Sequence, residues 1–271
     1  MTDPALAQKT PKGRFYRHPR DGSMAPSITN IKDMKALKGL PAWAARECGQ
    51  YAADNIANLA NLPPDDIVQL VKGAPFRYNS SKGTSALVGD IVHDWIDQDT
   101  KGETVDTSYY VDREGERKKS PQQARWMWNS YQTVKEYYSP NWIMSEFTVW
   151  NYEYGYAGTA DLAGYIKGGS DLTLVDTKTG KNVYPDMAIQ LAAIAHADCI
   201  VAPDGTETPL PPFKRFAIMH IRPRMAELVP VDHIEEWWHA FLGLKMVFDT
   251  VNQCEESTLL YTPKLQVRVS S

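Results

Sequence analysis

Hydrophobic and polar positions change period several times along the chain. Leu87, Ile91, Asp94 and Trp95, and with them Val88, Val92 and Ile96, recur at helical spacing, which predicts a helix from about Thr84 to Asp97 capped within Ser80–Ser85. Similar spacing predicts a helix from near Ile31, one over 42–59 carrying Trp43, Glu47, Tyr51 and Ile56, and a short one over 64–72. Pro121 opens a helix over 122–138 and Pro185 one over 186–199. A closing helix unit at 232–252 shows Trp237, Phe241, Leu244, Met246 and Phe248 on its apolar side. Strand-like alternation appears over 140–150, where Glu146 shares a face with Met144 and Thr148, opposite Phe147 and Val149. Two further strand runs, RFAIMHIR and AELVPVD, meet at Pro223–Met225, and GRFYRHP reads as a short edge strand. Helices and strands mixed in this way predict an α/β fold.

The most informative stretch is GTADLAGYIKGGSDLTLVDTKTG, residues 158–180. Two runs of β-formers flank Gly168-Gly169, a strong hairpin signal because both glycines accept positive φ. With those glycines as the two loop residues, Lys167 faces Ser170 and Asp161 falls opposite Asp176; a four-residue loop over 168–171 would shift that register. In the first register Asp161, Asp176 and Lys178 share one face. Directly opposed carboxylates repel, and a hard divalent cation would offset the repulsion. Two carboxylates and a lysine at a metal suit phosphodiester hydrolysis. A surface hairpin with solvated charges is the plainer alternative.

The chain of 271 residues is 43% hydrophobic and 11% aromatic, enough for one large core, and no repeat divides it. The opening residues have no apolar centre like that of a signal peptide and no apolar run is long enough for a membrane span, so the expectation is a cytoplasmic protein without a membrane partner. Residues 1–13 are polar and predict a flexible arm, and 257–271 an irregular tail. The net charge of −4 gives no global sign of nucleic-acid binding, although Lys12, Arg14, Arg17 and Arg20, and Arg113, Arg117, Lys118, Lys119 and Arg125, form local basic clusters. Cys48, Cys199 and Cys254 are isolated, so a four-cysteine iron–sulfur cluster is excluded within one chain, and reduced, buried thiols are expected. The helix over 122–138 is aromatic and basic; it suits a single-strand channel, while a core role for Trp128 and Tyr131 fits equally.

G-T-A-D, a hairpin, V-D-T-K-T-G-K and then a helix with Q-L-A-A resemble the core of the PD-(D/E)XK nuclease superfamily, closest to its RecB-like branch of phage exonucleases and CRISPR-associated end-trimming nucleases. The P-S-I-T segment followed by W-A-A, and Gly89, His93 and Asp97 on one helix, extend the resemblance from about Pro26 to Phe248. It implies a restriction-endonuclease-like central mixed sheet flanked by helices, in a single domain over 14–256. Within that domain a helical region spans 26–138 and a catalytic sheet core 140–230. It further implies a metal-dependent DNA nuclease acting on DNA ends or single strands in phage or bacterial recombination or repair, beside an annealing or recombination protein. Magnesium or manganese would be held by His93, Asp161, Asp176 and the Thr177 carbonyl. Asp161, Asp176, Lys178 and Gln190 would serve catalysis, and Arg125, Lys181, Tyr184 and Gln190 would contact DNA. Glu146 follows the branch's S-E and would be an accessory to the site rather than a ligand. Gln190 shares a face with Met187, Leu191 and Ile194, where a glutamine needs a partner; Ile194 stands where the branch often has tyrosine. The alternatives are an inactive DNA-end-binding or partner-recruiting subunit and, more weakly, a non-enzymatic helical scaffold.

Overall fold

The computed structural model describes residues 6–34, 50, 53–54, 62–63, 74–112 and 114–253. The helices expected over 42–59 and 64–72 lie, apart from isolated positions, outside the described residues, as do Arg113, Cys48, Cys254 and the tail. The described chain runs β1 (Ala7–Thr10), β2 (Gly13–Arg17), β3 (Met24–Pro26), α1 (Ile28–Lys32), α2 (Ala74–Thr100), β4 (Tyr109–Val111), β5 (Arg117–Lys119) and α3 (Gln122–Tyr138). It continues through β6 (Asn141–Asn151), β7 (Tyr156–Tyr165), β8 (Leu172–Lys178), α4 (Pro185–Ala195), β9 (Cys199–Val201), β10 (Glu207–Pro209), β11 (Arg215–Arg222), β12 (Met225–Pro230) and α5 (Ile234–Gln253).

A seven-stranded mixed sheet in the order β10-β9-β6-β7-β8-β11-β12 forms the centre. Its neighbours are antiparallel except β8 and β11, which run parallel across a connection that contains α4. One face packs Phe147, Val149, Tyr156, Leu174 and Ile218 against α1, α4 and α5. The other packs Leu162, Val175, Ala217 and Met219 against α2 and α3. Tyr131 is fully buried in this second layer and Trp128 packs edge-on against Trp95, so the core role holds for both. No helix among the described residues is long and apolar enough to cross a membrane.

Several elements differ from the sequence reading. Residues 7–10 of the expected flexible arm form β1, because Ala7–Thr10 pair in register with Gly13–Tyr16 and Arg17 N–H donates to the Leu6 carbonyl at 2.9 Å. GRFYRHP supplies β2, the middle strand of a three-stranded sheet rather than an edge. Helix α2 begins ten residues before the expected start: the serines and threonine over 80–85 cost a helix only tenths of a kcal/mol each and Gly83 about 1 kcal/mol, which does not end it. On α5 the deeply buried residues are Trp238, Phe241 and Phe248, while Met246 is 67% exposed. The apolar stripe on α5 is therefore rotated from the one read on Trp237 and Met246.

The β7–β8 register is the one expected, but its turn is not. Tyr165 pairs with Leu172 and Leu162 with Val175, which places Asp161 and Asp176 next in line. The left-handed residues of the turn are Lys167 (φ 49°) and Gly168 (φ 67°), closed by Gly169 N–H to the Ile166 carbonyl at 2.9 Å. The turn thus sits one residue early, and Ser170 and Asp171 restore the register before β8 begins. The opposite ladder is irregular: Trp142 pairs with Gly164 but Met144 with Ala163, which leaves Ile143 as an extra residue. Gly164 accepts this crowding only because it lacks a side chain. A Cβ there would lie 2.4 Å from the Asn141 carbonyl oxygen and 2.8 Å from the Trp142 Cα, atoms that cannot swing aside. Gly164→Ala is expected to cost about 1–3 kcal/mol, seen as a melting temperature lower by roughly 2–10 °C; unchanged thermal unfolding would contradict this close approach.

Candidate metal centre

The site forms where the β7–β8 ladder stops. Beyond Leu162↔Val175 the two strands part. The freed Thr177 N–H needs an acceptor, and the Asp161 carboxylate supplies it at 2.6 Å. A short bond of this kind to an ionised oxygen is strong and fixes the carboxylate's direction. Helix α2 brings His93 to the same place. A Cβ on Gly89 would lie 2.8 Å from Thr179 Oγ1, so glycine lets α2 approach the end of β8. His93 Nδ1 then lies 3.7 Å from Asp161 Oδ2.

Glu146 completes a cluster that the sequence did not place. Strict alternation puts it opposite Phe147 and in step with Met144. Instead Glu146 takes a left-handed φ of 46°, and Met144, Phe147 and Val149 all join the same core. The strand changes phase here and turns the carboxylate out of the sheet. One ligand atom each from His93, Glu146 and Asp161 lie within 4.8 Å of one another. They face a cleft of about 540 Å³ between α2, the sheet and the β2–α1 segment, with Arg14, Tyr16 and Thr179 on its walls. An imidazole and two carboxylates form a donor set compatible with a divalent cation.

Asp176 stands beside this group rather than inside it. Its side chain is 1% exposed, and neither oxygen meets a well-directed hydrogen-bond donor. Lys178 Nζ lies 2.5 Å from Asp176 Oδ2 as its ion-pair partner. Burial pushes the Asp176 carboxyl above the usual carboxylate range; the Asp161 charge pushes the same way, and Lys178 opposes both. Burial would lower Lys178, but the Asp176 and Asp161 charges outweigh it and hold the ammonium protonated.

The remaining expected residues divide. Gln190 lines the cleft and accepts a hydrogen bond from Lys32 Nζ at 3.0 Å, the partner its position demanded. Lys32 also lies 3.5 Å from Asp186, and burial followed by the Lys178 charge holds its pKa below the ordinary lysine value. Nothing in the sequence marked Lys32, since a lone lysine in a polar run reads as solvated. The Thr177 hydroxyl is buried without a partner. Lys181 and Tyr184 are exposed on the segment between β8 and α4. Arg125 lies away from the cleft walls, and its guanidinium donates to the Ser120 carbonyl at 3.1 Å. Of the cysteines, Cys199 is described; it is free and buried.

No protein-family model matches the chain, and no curated protein matches it. The site's chemistry therefore rests on its own geometry.

Packing against the cleft walls, followed by the charges of Asp161 and Asp97, pushes the Glu146 carboxyl up to about 8. Solvent reaches this side chain from the cleft, which softens the first effect and leaves the second. With its pKa raised on folding, the metal-free folded state holds a proton that the unfolded chain releases. Stability then falls as pH rises from about 4.5 to about 8. Glu146→Gln is expected to raise the melting temperature of the chelator-treated protein at pH 8 and to leave it unchanged near pH 4. A variant that melts lower than wild type at pH 8 would show that Glu146 is not under acidic repulsion.

Proposed function

We propose that the chain is a metal-dependent DNA nuclease of the PD-(D/E)XK type, RecB-like, hydrolysing phosphodiester bonds at DNA ends or in single strands. The observation that carries this reading is the convergence of Asp161, Asp176 and Lys178 at the parting of β7 and β8, with His93 and Glu146 beside them. The antiparallel β6–β7–β8 run, continued through α4 to a parallel β11 with helices on both faces, supports the restriction-endonuclease-like sheet that the resemblance implies.

His93, Glu146 and Asp161 would hold the cation, with Asp176 and the Thr177 carbonyl next to them on β8. A divalent cation there supplies Lewis-acid polarisation of a phosphate and eases loss of a proton from water. The chain's own groups do the positioning. Asp161 is held by the Thr177 N–H. Lys178 keeps its charge beside Asp176, where it steadies developing negative charge on a phosphate or orients a water. Gln190, braced by Lys32, points a side-chain amide at the same cleft.

A binding-only subunit is the less favoured reading. A buried carboxylate with poorly satisfied oxygens costs folding energy, and a module that only holds DNA gains nothing from it. The setting in recombination or repair and a partner annealing protein rest on the resemblance alone.

Purified protein with linear DNA labelled at the 5′ or 3′ end, single- or double-stranded, tests the reading directly. Magnesium- or manganese-dependent degradation, abolished by chelator, is expected. Asp161→Ala, Asp176→Ala and Lys178→Ala should each lose about 100-fold or more in rate. Full activity of Asp176→Ala, or intact DNA under every metal condition, would overturn it.

A further inference from the structure

The edge of the sheet where β8 ends carries a second feature that the site does not use. β11 runs parallel to β8 with His220 paired to Lys178, so Arg222 lies two residues further along and one strand over. Strand spacings put its backbone roughly 8 Å from that of Lys178. The His220 ring bonds the Gly180 carbonyl at 2.8 Å, which ties the segment leading to Lys181 against the same edge. At the β11–β12 turn Arg224 is exposed, with a left-handed φ of 67°, and its guanidinium lies 5.2 Å from the centroid of the Trp126 ring on α3. Trp126 is 37% exposed.

The charge on this edge is mostly positive; Glu227, opposite His220 on β12, is bonded to the His220 ring at 3.2 Å. Lys181, Arg222 and Arg224 have no ion-pair partner among the described residues. The Arg222 guanidinium donates through Nη2 to Met225 Sδ at 3.2 Å, while its Nε is buried without an acceptor. The acids that follow 179–185 and 220–226 are engaged elsewhere: Asp186 lies 3.5 Å from Lys32 and Glu227 3.2 Å from His220. Unpaired cations beside an exposed indole call for a ligand with both negative charge and flat aromatic surface.

We infer that Trp126 and Arg224, continued around the end of the sheet by Arg222 and Lys181, form a binding track for single-stranded DNA leading to the proposed catalytic cleft. The inference rests on the nuclease reading for its purpose but not for its binding chemistry. Exposed indole stacks on any unpaired base, and cations follow the phosphates. A duplex keeps its bases stacked on one another, so it would engage the arginines and lysine but not Trp126. The track therefore discriminates in favour of single strands. An acidic protein partner would need the cations alone and would leave the indole idle.

The test is fluorescence anisotropy of a labelled 20-nucleotide oligothymidylate with the full chain in chelator, where no hydrolysis occurs. Trp126→Ala and Arg224→Gln should each weaken binding about tenfold, and Trp126→Phe should restore most of the loss. Arg224→Gln should lower the slope of log affinity against log salt by about 0.7. Blunt duplex binding should be nearly indifferent to Trp126→Ala, and calorimetric manganese binding should match wild type in all three variants. Wild type that fails to bind the oligonucleotide, or variants that bind it as wild type does, would overturn the inference. Wild type that binds it through Trp126 yet hydrolyses no DNA with manganese would uphold the track and sink the nuclease reading.

Discussion

The site depends on one bond, from the Thr177 N–H to the Asp161 carboxylate at 2.6 Å. A buried main-chain donor must find an acceptor, and in an unbroken sheet the facing strand's carbonyl provides it. Here a side-chain oxygen takes that place. The substitution lets β7 and β8 part without leaving the donor orphaned. The parting makes room for His93 from α2 and for Glu146 from the displaced β6, so cleft and carboxylate have the same origin. Asp161 is thus structural and chemical at once. Exchanging it for asparagine keeps an acceptor for Thr177 while removing the charge, which separates the two roles better than alanine does.

The charges around this break are arranged unevenly. Asp176 is the deepest and gains its compensation from Lys178, which the Asp161 charge also helps keep protonated. Lys32 adds a second cation-bearing chain to that side, held to Gln190 and Asp186. The His93 side is different. Glu146 lies near Asp161, Asp97 and Asp94, and Lys101, which would balance them, is bonded to Asp97 at 2.6 Å. Paired charges therefore lie deep on β8, and surplus negative charge lies at the cleft. Breaking the deep pair would strand an ion in a dry place, at a cost of about 3–5 kcal/mol. Neutralising the surplus relieves repulsion instead.

Much of this was legible in the sequence because it depends on counting. Register is an arithmetic property of a hairpin, so Asp161, Asp176 and Lys178 could be aligned although the turn sits on Lys167-Gly168. Two errors cancelled: the turn came one residue early, and the residues after it restored the offset. Gly89 and His93 were marked by the resemblance; helical spacing puts them on a common face but does not make that face a site. Glu146 was not legible as a ligand, because a period of two holds only while a strand stays regular. A left-handed glutamate and an extra Ile143 break the phase, and no glycine marked the place. The S-E pattern marked it as an accessory to the site, and a glutamate inside an otherwise apolar run was a second sign, but neither made it a ligand. Lys32 and Trp126–Arg224 were illegible for a further reason. Each owes its meaning to a partner far away in the chain, and a lone lysine, tryptophan or arginine in sequence is indistinguishable from an ordinary surface residue.

The surplus acid at the cleft also constrains how DNA could approach. Asp161 and Asp94 on the walls, joined by Glu146 once it loses its proton, repel a phosphodiester unless a cation offsets them. The edge with Arg222, Arg224 and Lys181 has the opposite sign and needs no cation. A strand would therefore be attracted first to the edge and admitted to the cleft only when that charge is offset. The two affinities differ in their dependence on conditions: salt weakens the edge contact through counterion release, whereas chelation weakens the cleft contact. Such a division would keep the empty cleft from trapping a backbone before a cation is bound. A net charge of −4 does not oppose it, because the sign that matters is the local one along the path, not the sum over the molecule.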